Sequence, residues 1–269
     1  MAGVNSVSSD YSWLFKAATS PKQKQNSGSG LLENYFASQQ NATSELAGLQ
    51  EVNANLKSLM ASYEEAKSAF NSELSENMDF LSKSAEKVKG YDFHVKKEGA
   101  ITKTTETDKD GNVTETTTYS KELQAALDTV KEFVGDYNTS LAFFKDNASI
   151  SKRVENMANT FGDAIYRASA YEAIGLNVNS DGSFTINEDK LVNAIINDPG
   201  KVSRTLGKDG LAGKAEEHIS FANSQKENLF PTAQAMFGDQ LDAASIYTSK
   251  AYRIMTAYSN MGNLFNMMS

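Results

Sequence analysis

The sequence predicts a mostly α protein: two long terminal helices packed antiparallel in coiled-coil fashion, shorter helices between them, and two small β-hairpins. Three observations carry that expectation. Apolar residues recur at alternating steps of three and four near both ends of the 269-residue chain. The three prolines, Pro21, Pro199 and Pro231, leave long stretches free of the residue that breaks a helix interior. Two Asp-Gly pairs, Asp110-Gly111 and Asp181-Gly182, stand among β-branched residues, the pattern of tight hairpin turns.

Composition narrows the function before any motif does. The chain has no cysteine, which excludes a disulfide scaffold, a thiolate nucleophile and any metal site built on sulfur. Its two histidines, His94 and His218, leave little material for a metal centre or for histidine general-base catalysis. A net charge of −8, from 26 Lys and Arg against 34 Asp and Glu, argues against a nucleic-acid partner. Mean hydropathy is −0.46 and no apolar run approaches the ~20 residues of a spanning helix, so no membrane insertion is expected.

Residues 1–30 read as a flexible N-terminal segment. Tyr11, Trp13, Leu14 and Phe15 make a short apolar knot, and Pro21 to Gly30 has the composition of a linker. Neither the basic n-region nor the apolar h-region of a secretory signal is present there, so export is expected to proceed without a cleaved signal peptide. Residues 31–90 form the first long heptad helix. Leu49, Val52, Leu56, Leu59, Tyr63, Ala66 and Phe70 alternate steps of three and four, an a/d seam. The steps then lengthen through Leu74 and Met78 before resuming at Leu81, Ala85 and Val88, a stutter that unwinds the supercoil and keeps the seam continuous. The seam fits both a helix packed on its own domain and an intermolecular coiled coil.

Residues 91–120 form a β-hairpin insertion. Tyr91, Phe93 and Val95 alternate with polar residues and leave room for a third short strand, while the threonines from Ile101 to Tyr119 flank the Asp110-Gly111 turn. Residues 121–230 form a helical domain. Leu123, Leu127, Val130, Phe133, Val134, Tyr137 and Leu141 make a wide apolar stripe, and a break at Asp146 to Ser149 supplies a cap. Val154, Met157, Phe161, Ile165 and Tyr166 continue a second helix. A hairpin over 174–186 follows, then a helix capped at Asn187 and a short one begun at Asp198 and Pro199. Residues 231–269 form the C-terminal heptad helix, with Ala244, Tyr247, Ala251, Ile254, Tyr258, Met261, Phe265 and Met268 along one seam. Methionines interleaved with aromatics at this end suit a core or an adaptable docking surface.

The sharpest chemical pattern is Asn177 to Glu188. Laid on a calcium loop, it puts oxygen donors at positions one, three, five and nine, glycine at six and glutamate at twelve. The uncharged Asn177 and strand-like flanks favour a hairpin followed by a helix cap. The Asp110-Gly111 turn lacks a carboxylate at its twelfth position, where Thr117 stands, and reads as a turn alone. His94 and His218 read as surface or satisfied residues. There is no G-x-S-x-G elbow, Walker loop or G-x-G-x-x-G, and the acidic pairs Glu64-Glu65 and Glu216-Glu217 fall on helices, where charge marks a solvated face. No catalytic residue, metal ligand or cofactor is assigned.

From Lys121 to Ile219 the chain resembles the C-terminal region of the bacterial flagellar filament-capping protein family, hook-associated protein 2. The residues that carry the resemblance are Val130, Phe133, Val134, Tyr137 and Asn138 on one helix, then Ile174-Gly175-Leu176. Asp181-Gly182, Phe184, Ile186 and Leu191 come next, followed by Asp198-Pro199 with Val202, and by Gly210-Leu211-Ala212. The resemblance implies a short or divergent member in which the family's large β-rich middle domains are missing or reduced to the hairpin at 91–119. It also implies long helices at both ends that pack together, export through the flagellar type III apparatus, and a place in the extracellular flagellum.

The expected function is therefore non-enzymatic: a self-assembling, flagellar hook-associated or cap-like homo-oligomer that contacts flagellin or hook-associated neighbours. Tyr258, Met261, Leu264 and Phe265 are expected to carry assembly, with Leu56, Leu59 and Tyr63 opposite them. Two other readings stay open, a cytoplasmic coiled-coil adaptor or chaperone and a calcium-responsive binding module.

Overall fold

Forty-nine residues without a proline form one helix, α1 (Ala42–Gly90), closed by Lys87 and Lys89, whose charges suit the negative end of the helix dipole. A computed structural model of the chain describes residues 42–107 and 113–238, with side chains described for 53–105 and 115–238. By contacts the chain divides into two units, Met1–Ala69 with Pro231–Ser269, and Phe70–Phe230. The division falls inside α1. Within the Phe70–Phe230 unit every seam residue of the helix is covered: Phe70, Leu74, Met78, Leu81, Ala85 and Val88 are all at most 2% exposed. The stutter thus keeps one face turned to one core. The protein is mostly helical, with two small antiparallel two-stranded sheets.

The core of the second unit is organised on α2 (Lys121–Asp146). Ser120 caps it by accepting the N–H of Leu123 at 3.2 Å. The apolar stripe read from its sequence is buried along its whole length, from Leu123 to Phe144. Ser151 caps α3 (Lys152–Phe161) through the Val154 N–H and also donates to the Leu229 carbonyl at 2.7 Å, so one hydroxyl joins two helix ends. Beyond a 3₁₀ turn (Gly162–Arg167) come the short α4 (Ala168–Glu172), α5 (Glu188–Asn197), α6 (Pro199–Leu206) and α7 (Leu211–Leu229). Asn187 and Asp198 cap α5 and α6 by accepting the N–H groups of Lys190 and Lys201, each at 3.0 Å. Ring contacts run through this core from Phe230 to Phe70, Phe143, Phe144, Phe161, Tyr137, Phe184 and Tyr171.

The two hairpins differ in their attachment. Strands β1 (Ile101–Thr107) and β2 (Val113–Tyr119) pair in register from Ile101 opposite Tyr119 to Thr107 opposite Val113. Residues 101–105 and 115–118 are exposed, so this ribbon meets solvent on both faces and is anchored at its base by the buried Ala100. The turn at Asp108 to Asn112 lies outside the described residues. By contrast, β3 (Leu176–Val178) and β4 (Phe184–Ile186) pack into the core. Asn138 of α2 clasps β4 as a neighbouring strand would: its amide N–H donates to the Phe184 carbonyl and its oxygen accepts the Phe184 N–H, both at 2.8 Å. Two glycines make this docking possible. Gly182 has φ +84°, and a Cβ there would lie 2.5 Å from the Gly162 Cα. Gly175, at φ +93°, passes so close to α5 that a Cβ would lie 2.6 Å from the Leu191 nitrogen.

Three local expectations are corrected. No third strand forms at Tyr91 to Val95: Phe93 is drawn into the core, and the Asp92 carboxylate takes the His94 N–H at 3.0 Å, which bends the chain away from a ladder. The helix expected to continue through Ile165 and Tyr166 ends at Phe161. The tighter 3₁₀ winding from Gly162 turns these two side chains outward, and they are 46% and 89% exposed. The cap after the 146–149 break is Ser151 rather than a residue within it.

Asn138→Ala would leave both backbone groups of Phe184 without their protein partner, and is expected to lower the stability of this unit by about 2 kcal/mol in urea unfolding. Asn138→Asp keeps the acceptor and loses the donor, so it should fall at or below the alanine variant. Wild-type stability in both variants would show that solvent serves Phe184 equally well.

Candidate functional site

In the unit of Met1–Ala69 and Pro231–Ser269, the anticipated assembly residues of α1 are covered unequally. Ala66 and Tyr63 are 4% and 3% exposed, whereas Leu59 and Leu56 are half-buried. Tyr63 is held by two contacts with the chain after Pro231. Its hydroxyl donates to the Pro231 carbonyl at 3.0 Å, and its ring meets Phe237 edge-on at 6.2 Å. Helical winding begins at residue 233, where the Thr232 hydroxyl accepts the Ala235 N–H, and Met236 and Phe237 are buried. The proline breaks the helical run as expected. Tyr258, Met261, Leu264 and Phe265 lie outside the described residues. Among the described residues of this unit the buried side chains are apolar but for the Tyr63 hydroxyl, an arrangement suited to packing.

The oxygen-rich segment from Asn177 to Glu188 is a hairpin turn followed by a helix cap. The N–H of Asn179 donates to the Ser183 carbonyl at 2.8 Å, and the Asn179 side chain bonds the hydroxyls of Ser183 and Thr185. Asp181 accepts the hydroxyl and the N–H of Ser183 and stands 3.2 Å from Lys145. Those contacts, the Ser183 hydroxyl first, bring its carboxyl down to about 2. Their contribution to stability is present above the ordinary carboxylate value and is lost as pH falls toward the folded one. Glu188 pairs instead with Lys131 at 2.6 Å. Lys131 and Lys145 stand fourteen residues apart on α2, which is ~21 Å along the axis. The two carboxylates are therefore held apart rather than converged on one cation.

A polar cluster in the Phe70–Phe230 unit was not anticipated. Asp163, in the 3₁₀ turn, pairs with Lys214 at 2.8 Å, and the His218 Nε2 lies 3.8 Å from the same carboxylate oxygen. His218 is no surface residue: it is 8% exposed and packs on the Phe161 ring at 5.1 Å. Burial holds its pKa below the usual value, against the attraction of Asp163. Its spacing in the row Leu211, Ala215, His218 and Ala222 was the available signal, since that row is the buried stripe of α7. His94, the other histidine, is exposed beside Asp92.

Among the described residues, no group of three or more His, Asp or Glu side chains is placed to hold a metal ion. No described helix is long and apolar enough to cross a membrane. No protein-family model, curated protein or solved structure matches the chain.

Two measurements probe this geometry. Tyr63→Ala is expected to speed proteolytic cleavage within 231–238, whereas Tyr63→Phe, which removes one hydrogen bond of about 1 kcal/mol, should speed it only a few-fold; equal rates in all three proteins would remove Tyr63 as the anchor. Millimolar calcium is expected to leave the melting temperature unchanged. A calcium-dependent rise abolished by Asp181→Ala would show instead that the hairpin takes up the ion.

Proposed function

We propose that this protein is a structural, self-assembling component of a bacterial flagellum, hook-associated and cap-like, that works by packing rather than by catalysis. The observation that carries the reading is the change in coverage along the α1 seam. From Phe70 to Val88 the chain's own core fills it completely, while at Leu59 and Leu56 the same periodic face is half-buried. Apolar surface left partly covered at heptad spacing is the kind that gains most from a further helix; each fully buried leucine is worth about 2 kcal/mol. The heptad-spaced residues of 244–268 supply the complementary sequence, with Tyr258, Met261, Leu264 and Phe265 as the interface opposite Leu56, Leu59 and Tyr63.

In this reading the terminal segments form an antiparallel coiled-coil pair that also takes up like subunits and flagellin or hook-associated neighbours. The protein works outside the cell. The sequence pattern shared with the filament-capping family over Lys121 to Ile219 supports the assignment, and the absence of any catalytic constellation in the sequence is in keeping with it. The projecting Thr-rich hairpin occupies the place where the family carries its exposed domains.

A second reading has one observation in its favour. The complete intramolecular burial from Phe70 to Val88 is what a coiled-coil adaptor or chaperone that works as a monomer would also show. Sizing the purified chain over a range of concentrations separates the two. Assembly predicts a concentration-dependent oligomer that is lost on removing residues 240–269 and weakened by Leu56→Asp with Leu59→Asp. A full-length chain that stays monomeric at every concentration would overturn the assembly reading and leave the adaptor.

A further inference from the structure

The cluster around Asp163 has no part in the proposed assembly. Asp163 follows α3 directly, in the 3₁₀ turn Gly162–Arg167. Lys214 and His218 stand one helical turn apart on α7, and both reach the same carboxylate oxygen, Oδ2, at 2.8 and 3.8 Å. Two other atoms here are buried without a hydrogen-bond partner among the described residues: Asp163 Oδ1 and His218 Nδ1. Native cores rarely leave such groups unsatisfied, and each costs more in a medium that solvates charge poorly.

We propose that this cluster is an acid-sensitive latch: protonation of His218 puts an N–H on both nitrogens of a buried ring whose Nδ1 has no acceptor among the described residues and whose Nε2 lies too far from Asp163 for a hydrogen bond, and the Gly162–Arg167 turn opens from α7 to let water reach it. The groups around the imidazole set the direction. Asp163 of the turn attracts an imidazolium, but Lys214 already neutralises that carboxylate. On α7 itself, Lys214 repels and the exposed Glu217 attracts weakly. From α3 the Phe161 ring packs on the imidazole at 5.1 Å. Tyr137 of α2 and Tyr171 of α4 bear on Asp163 as phenols kept neutral by burial, with Arg167 opposing that effect at Tyr171. Burial outweighs the attractions, so the folded protein binds the His218 proton less readily than the unfolded chain does. Stability is then full above the ordinary histidine value of about 6.5 and falls as pH drops below it.

The turn is the element that yields. Its 3₁₀ hydrogen bonds are weaker than those of the flanking helix. Among its own side chains Ile165, Tyr166 and Arg167 face solvent, and only Ala164 is buried. The ion pair to Lys214 is thus a large part of what ties it to α7.

Hydrogen exchange of the full chain at pH 7.5 and 5.5, corrected for the intrinsic chemical rate, tests the latch. Peptides covering 161–172 and 213–221 are expected to lose protection at acid pH, by up to about tenfold per pH unit for one proton. Those of β3, β4 and α5 keep theirs. His218→Gln should abolish the difference, and His94→Gln should leave it intact. The same acid-induced loss in His218→Gln would overturn the proposal by assigning it to carboxylates. Should that variant not fold, an NMR titration of the wild-type imidazole decides. A pKa below the usual value together with loss of protection supports the latch, whereas a raised value with gained protection shows that the imidazolium tightens the turn.

Discussion

The pairing of Asn138 with Phe184 is the contact on which the Phe70–Phe230 unit depends. A two-stranded hairpin of three-residue strands has too little surface to hold itself in water. Here a helix side chain completes its edge, accepting one backbone group and donating to the other. Once β4 is fixed against α2, Phe184 stands edge-on to both Tyr137 and Tyr171 at 5.3 Å. The neighbouring Tyr137 hydroxyl donates to the Phe161 carbonyl, which ties the end of α3 to the same helix. The turn glycine Gly182 is brought against Gly162, and Lys145 secures Asp181 beside it. The start of the 3₁₀ turn, and so the position of Asp163, follows from this arrangement.

Packing of that kind accounts for the residues that carry the family resemblance. Tyr137 and Asn138 anchor the hairpin, Gly175 lets the chain pass α5, and Asp198 with Pro199 opens α6. Gly210 crosses so close to the Thr205 carbonyl that only a residue without a Cβ fits there. Each meets a packing or backbone requirement of this fold. The assembly part of the functional proposal therefore rests on how surface is covered along α1, and its flagellar part on these motifs.

Much of the fold was legible because it is local. The caps at Asn187 and Asp198, the stripe on α2, the Asp181-Gly182 turn and the break at Pro231 follow from short-range sterics and hydrogen bonding. What escaped was set by distant partners. Phe93 reads as a strand residue until a core removes it from the ladder, and Ile165 and Tyr166 fit a helical stripe until Gly162 tightens the winding. Of the candidate site, Tyr63 could be read as a seam residue, but its bond to the Pro231 carbonyl, 168 residues away, could not.

By itself the sequence determined the helical class, the two hairpins and a continuous apolar face along α1, since periodicity, turn chemistry and proline placement act within a few residues. It also determined that the chain lacks thiol chemistry. Only the tertiary structure decided what covers that face, filling it wholly from Phe70 onward and partly at Leu56 and Leu59. It alone placed His218 inside and put Lys214 beside Asp163. The physical reason is common to both: a hydrophobic period states that a face will be buried, whereas its partner is chosen by contacts that span the chain.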